Sequence, residues 1–247
     1  MEDLELFTAR LNDMVKSAEN GKVAFSHFLT EEEKLLSENV FNKTPFEFCF
    51  FGGNEKTQRK IAAISAFPVS EKSFPITVFK ITGHELFSLS HRDILGALMG
   101  LGLTRQSVGD ICFDKSSNAV YLFVTKSVAP LIKEELKTAG RVSLTLSEVS
   151  GLGLILPDLE FTDITFTAAS KRADAVIAAL LNLSREKSAS LIDSKAVILN
   201  GNLLTRREKE IKEFDIFTVK GFGKFKVDFT ELSAKKNRIR FLIKKYK

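Results

Sequence analysis

The spacing of apolar positions changes period along the chain, and each change marks an element. Leu4, Phe7, Leu11 and Met14 recur at three- and four-residue steps with Glu2, Asp3, Glu5 and Asp13 elsewhere, the period of a helix that buries one face. A helix lying on a membrane would carry Lys and Arg on its polar side, so this stripe is read as packing onto a core. Thr30 followed by Glu33 forms a capping box and predicts a second helix reaching about Phe41. Pro45 resets the chain into the apolar, strand-like run Phe46 to Phe51, which stops at Gly52-Gly53. Beyond it, Glu55 to Lys60 reads as a short helix and Ile61 to Phe67 as a strand.

From Pro75 the alternation is regular. Ile76 to Thr82 predicts a strand, Ser90 to Leu101 a helix, and Val108 to Phe113 with Ala119 to Thr125 a strand pair around the turn Asp114 to Asn118. Val128 to Thr138 follows as a helix and Arg141 to Val149 as a strand. This βαββαβ order predicts a ferredoxin-like sandwich over residues 75–160, preceded by an α/β region over 1–74. Tyr121 and Phe123 share one strand face, where related domains stack RNA bases. The strand lacks the Gly-aromatic signature of such domains, and burial under the N-terminal segment is the favoured reading.

Ser150 to Thr167 contains Gly151, Gly153 and Pro157 and then alternates, which suits a linker with some extended structure. A third domain is expected over 165–247. Ala173, Val176, Ile177 and Leu180 lie on one face of a helix from Arg172 to Leu183, and Ser184 is placed to cap a second helix running to about Ser194. Short strands at Val197 to Asn200, Asp215 to Lys220 and Lys224 to Phe229 follow, and a tail from Lys235 to Lys247 carries seven basic and no acidic residues. The fold class expected for the whole chain is α+β.

Composition sharpens this outline. With 247 residues, 44% of them hydrophobic and 22 of them Phe, the chain has material for more than one core. No apolar run approaches the roughly 20 residues needed to cross a bilayer, and no basic segment precedes an apolar one near Met1, so a cytoplasmic monomer with no membrane partner is expected. Cys49 and Cys112 are isolated in apolar runs and read as buried thiols. The net charge of +5 hides an asymmetry: residues 1–170 hold 17 Lys and Arg against 22 Asp and Glu, whereas residues 171–247 hold 19 against 9. Segregation of this kind points to a polyanionic partner; a solvated lysine-rich surface is the plainer alternative.

Enzyme signatures fail one by one. His91-Arg92-Asp93 matches the catalytic loop of protein kinases in three letters, but Leu98 stands where the metal-binding asparagine belongs. Ser90 as a cap with Asp93 in the first turn explains those residues more simply. Gly100-Leu101-Gly102 and Gly151-Leu152-Gly153 lack the third glycine of a cofactor loop, and His27, His84 and His91 form no ligand-spaced cluster. No catalytic residue, metal or cofactor is expected. An RNA-modification enzyme, or a protein-interaction scaffold built on residues 1–70, is the alternative to a non-catalytic RNA binder.

Arg172-Ala173-Asp174-Ala175-Val176, Asn182-Leu183-Ser184-Arg185-Glu186-Lys187-Ser188-Ala189, Lys195-Ala196-Val197-Ile198-Leu199-Asn200-Gly201 and Lys220-Gly221-Phe222-Gly223-Lys224-Phe225 fall in order and resemble the S-four domain, an RNA-binding fold of the small ribosomal subunit. Ala173 stands where that family has Leu, and Phe214-Asp215 where it has Gly-Asp. Adding Phe51-Gly52-Gly53, Arg59-Lys60, Ser90 to Gly102 and Val108-Gly109-Asp110-Ile111, nearly the whole chain resembles the bacterial YlmH family. The resemblance implies binding to ribosomal RNA of the large ribosomal subunit beside peptidyl-tRNA during rescue of stalled translation, a role related to that of the smaller protein RqcP. The expected RNA contacts are Arg172, Ser184, Arg185 and Lys187 at the start of the two helices, with Lys195, Asn200, Lys220 and Lys224 on the opposite rim of one groove. Arg59, Lys60, His91 and Arg92 are expected as secondary contacts.

Overall fold

The first apolar stripe forms α1 (Glu2–Glu19) in the computed structural model, which describes residues 2–158, 161–233 and 238–246. Phe7, Leu11 and Met14 are buried along it. There follow β1 (Ala24–Phe28), α2 (Glu31–Phe41), β2 (Glu47–Phe51) and β3 (Ile61–Ser65). The capping box of α2 is formed: Glu33 N donates to Thr30 Oγ1 at 3.2 Å and Thr30 N to Glu33 Oε2 at 2.8 Å. The strands make an antiparallel sheet in the order β1-β3-β2. Because strand side chains alternate, β3 sends Ala62 and Ile64 into a core with α1 and α2 and sends Ile61 and Ala63 to the other face.

Next come β4 (Ile76–Thr82), α3 (His91–Gly100), β5 (Val108–Asp114), β6 (Ala119–Thr125), α4 (Ala129–Glu135), the short ribbon β7 (Thr138–Ala139) and β8 (Val142–Ser143), and β9 (Thr145–Val149). A four-stranded antiparallel sheet runs β5-β6-β4-β9. On one face Ile94 and Leu98 of α3 and Ile132 of α4 pack on Phe79, Ile81, Val120, Leu122 and Val124. On the other, Val78, Tyr121 and Phe123 meet Phe28, Phe51 and Ile61 of the first sheet. Residues 2–158 thus stack four layers, helix, sheet, sheet and helix, and the aromatic face of β6 is closed: Tyr121 is 5% exposed and Phe123 0%. The sheets approach so closely at β5 that a Cβ on Gly109 would lie 2.7 Å from the Phe28 ring.

The helix expected at Val128 to Thr138 stops at Glu135, with Thr138 in β7, and two further local readings fail here. Glu55 to Lys60 forms turns rather than a helix, because its polar groups are spent on distant partners: Asp110 accepts from the amides of Gln58 and Arg59, and Asn54 Nδ2 donates to Gly151 O and Leu154 O, both at 2.8 Å. The strand β1 was not foreseen.

Residues 159–247 form a second compact unit. Its elements are β10 (Phe161–Ala168), α5 (Ala173–Leu180), α6 (Arg185–Asp193), β11 (Val197–Leu199), β12 (Asn202–Leu203), β13 (Ile216–Val219), β14 (Gly223–Ser233) and β15 (Arg238–Tyr246). They build a six-stranded sheet in the order β10-β15-β14-β13-β11-β12. Much of the expected linker and tail is therefore sheet: β10 pairs with β15 from Phe161 opposite Tyr246 to Ala168 opposite Ile239, and Phe166 stacks on Phe241 with centroids 5.4 Å apart. The tail residues Ala234–Asn237 and Lys247 lie outside the described residues. Val176, Ile177 and Ile192 of the helices cover Phe217, Val219, Phe225, Val227, Phe241 and Ile243. Ala173 is fully buried in that core, and Phe214 keeps its turn by adopting a left-handed φ of 66°.

Candidate nucleic-acid interface

The α5–α6 hairpin is set by small local devices. Past α5, Asn182 turns left-handed at φ 52° and Leu183 N donates to Ala178 O at 2.8 Å, a polar stop in place of glycine. Ser184 is extended and its hydroxyl accepts from Lys187 N at 3.2 Å, which caps α6. The fully buried Ser188 hydroxyl donates to Asp174 O at 2.8 Å and locks the helices together.

The two helix starts differ. At α5, Ala173 N donates to Lys209 O at 2.8 Å and Asp174 N to Arg207 O at 3.1 Å, so the segment after β12 closes that end. At α6, Ser184 takes only the third amide, and the amides of Arg185 and Glu186 have no intrahelical partner by the geometry of a helix start. Ser184, Arg185, Glu186 and Lys187 are all exposed there.

Arg172 forms a bidentate pair with Asp174, Nε to Oδ1 at 3.1 Å and Nη2 to Oδ2 at 3.0 Å. The Arg172 hydrogen bond is the main force holding the Asp174 carboxyl below its usual range against burial, and the charge of Arg185 acts on it too. Arg172 and Arg185 are thereby gathered around one carboxylate. Arg207, which sequence reasoning missed, joins them: it pairs with Asp193, and Asp174 adds to the field that raises its pKa. The adjacent Arg206-Arg207 pair was the available signal. Arg185 and Lys187 make no ion pair among the described residues.

The remaining predicted contacts fall elsewhere. Lys195 and Lys220 are neighbours, since Lys220 N donates to Ala196 O at 2.9 Å, but they lie past the other end of α6, about 13 Å along its axis from Arg185. Asn200 lies at the far end of β11, its side chain donating to Asp215 Oδ1 at 2.7 Å and accepting from Ile216 N at 2.8 Å. Lys224 alternates with the buried Phe225 and so sits on the sheet face away from the helices, its Nζ 5.1 Å from the Tyr246 ring centre. The eight side chains occupy separate places rather than one groove.

In the other unit, Arg59 Nη2 donates to Phe28 O at 2.8 Å and Arg105 O at 3.2 Å. Burial first, then the Arg105 charge, lower its pKa to about 10, so it remains a cation that ties β1 to the turn before β5. Lys60 is half-buried, and its carbonyl accepts from Leu29 N at 2.8 Å. His91 and Arg92 are exposed on the first turn of α3 behind the Ser90–Asp93 capping box. Desolvation of the partly enclosed imidazole ring first, then the charge of Arg105, lower the His91 pKa. Burial pushes the Cys112 thiol up to about 12. Among the described residues no cluster of His, Cys, Asp or Glu could hold a metal ion, and no helix is long and apolar enough to cross a membrane.

Residues 69–151 match the family described as "Putative RNA-binding domain in YlmH". Those residues include β4 to β9. The chain is 30% identical over 234 residues to the "Ribosome-associated protein quality control protein P2" of Bacillus subtilis (strain 168), covering 93% of this chain and 90% of that one. Its fold resembles the solved structure of the "Cell division protein ylmH from Streptococcus pneumoniae" with a TM-score of 0.51 and 20% identity, over 60% of this chain and 92% of that chain. The mixed α+β architecture, the matched domain and the near-complete alignment with the Bacillus protein together establish that this chain belongs to the YlmH family.

Proposed function

We propose that this chain is a non-catalytic, cytoplasmic RNA-binding protein that associates with the large ribosomal subunit, contacts ribosomal RNA and peptidyl-tRNA, and acts in the rescue of stalled translation. The observation that carries the reading is the open start of α6. Arg185 and Lys187 are exposed there without an ion pair among the described residues, beside helix-terminal amides, in a stretch holding 19 Lys and Arg against 9 Asp and Glu. Amides and cations so arranged suit closely spaced phosphates. The name of the Bacillus subtilis relative supports the ribosomal setting.

In this reading residues 1–74 are an α/β region, 75–160 a ferredoxin-like RNA-binding domain and 165–247 an S-four domain. The β5-β6-β4-β9 strand order supports the second assignment and the α5–α6 hairpin the third. Since Tyr121 and Phe123 are covered, RNA would meet the central domain on its helix side, where His91 and Arg92 are exposed. Lys195 and Lys220 would form a second contact beyond α6.

The test is sedimentation of the purified full-length chain with large ribosomal subunits over a salt series, with and without RNase. Co-sedimentation that falls steeply with salt and vanishes after RNase is expected. Pelleting indifferent to both would favour a protein-interaction scaffold, and a new modified nucleotide found by mass spectrometry would overturn the non-catalytic reading.

A further inference from the structure

Phe214 stands in the left-handed region at φ 66°, which glycine enters freely and a residue with a Cβ enters at a cost. Burial commonly offsets such strain, but Phe214 is 67% exposed and lies outside the core of its unit. The bonds of the turn hold this outlier, and they leave the ring itself facing solvent.

The mount of the ring is fixed. Phe214 N donates to Val227 O at 2.9 Å, Lys212 N to Asp215 Oδ2 at 2.7 Å, and Asn200 Nδ2 to Asp215 Oδ1 at 2.7 Å. Glu213 Oε1 accepts from the amide and hydroxyl of Thr230, both at 3.0 Å. Both acidic neighbours are thus held in place, and their charge disfavours phosphate and an apolar protein surface alike at the ring. A neutral base, which presents a π face whatever its identity, is the better match. Beside the same Asn200 opens a groove of about 270 Å³ whose polar lining includes Asn202, Arg206 and Lys209.

We propose that Phe214 is a stacking platform for one unpaired RNA base, with the adjoining nucleotide backbone passing along Arg206 and Lys209. The proposal rests on the RNA-binding reading above and adds to it a preference for RNA with exposed bases. Asn200 lies at this place, although its side chain serves the turn.

The experiment uses the full-length chain and two fluorescent RNAs of equal charge, a hairpin with an unpaired uridine loop and a blunt duplex. Phe214→Asn keeps a residue that tolerates the left-handed turn and removes the ring; Phe214→Tyr keeps the ring. Phe214→Asn is expected to weaken loop binding about tenfold and leave duplex binding unchanged, with Phe214→Tyr close to the parent. Arg185→Ala with Lys187→Ala should weaken both. Equal loop affinity for Phe214→Asn and the parent overturns the stacking proposal while leaving the RNA reading in place. A parent protein that binds neither RNA overturns both, and a Phe214→Asn variant that loses loop and duplex binding equally overturns stacking.

Discussion

The hydroxyl of Ser188 on α6 donates to the main-chain oxygen of Asp174 on α5 at 2.8 Å, in a place closed to solvent. This bond fixes the crossing of the two helices from which Arg172 and Arg185 both act on the Asp174 carboxylate. Ser188→Ala is expected to cost about 1 kcal/mol in urea unfolding and to weaken RNA binding a few-fold by loosening that geometry. Unchanged stability would show that the hydroxyl does not hold the hairpin.

Phe123 separates a structural role from a nucleic-acid role. It is fully buried between the two sheets, so Phe123→Ala should destabilise the first unit by about 3–5 kcal/mol through lost contacts and a cavity. RNA affinity per folded molecule should stay the same. Loss of RNA binding with normal thermal stability would mean that this face opens to stack bases.

Glu33 supplies a pH-dependent contribution to stability. Burial alone would raise its pKa, but bonds to His27 and to Thr30 outweigh burial and bring it from 4.5 to about 2. A depressed carboxyl stabilises the folded state above the unfolded pKa, and the contribution is lost as pH falls from about 4.5 towards about 2. The upper bound is about 3 kcal/mol. Glu33→Gln should flatten the acid side of the stability curve in that window, measured by urea midpoints. A variant curve parallel to that of the parent would contradict the role of the His27–Glu33 pair.

What could be read from the sequence was what depends on neighbours in the chain. The Thr30–Glu33 and Ser90–Asp93 boxes join side chains three residues apart, the Ser184 cap joins a hydroxyl to the amide three residues on, and all three form. The β10 strand looks like linker because its partner β15 lies about 70 to 85 residues away, and β15 looks like a tail, although β14 pairs with it close by, because its lysines and arginines look solvated until paired. Glu55 to Lys60 looked helical because Asp110, which takes its amides, is about 50 residues distant. The gathering of Arg172 and Arg185 followed from the two-helix pattern, whereas the engagement of Asn200 by Asp215 and the outward face of Lys224 needed the sheet register.

Co-sedimentation across a salt series tests most directly whether RNA meets the open start of α6. The full-length chain carrying Arg185→Ala and Lys187→Ala is compared with the parent on large ribosomal subunits, and circular dichroism monitors the fold. Neither side chain is ion-paired among the described residues or part of the core, so stability should change by no more than about 0.5 kcal/mol. Arg172 is the less clean choice because it also holds Asp174. Two lost phosphate contacts should reduce the slope of log K against log salt by about 1.4–1.8. Lys16→Ala with Lys34→Ala, in the acidic part of the chain, should leave it unchanged. A folded Arg185, Lys187 double variant that sediments like the parent at every salt concentration would contradict the assignment and move the RNA contact to another surface.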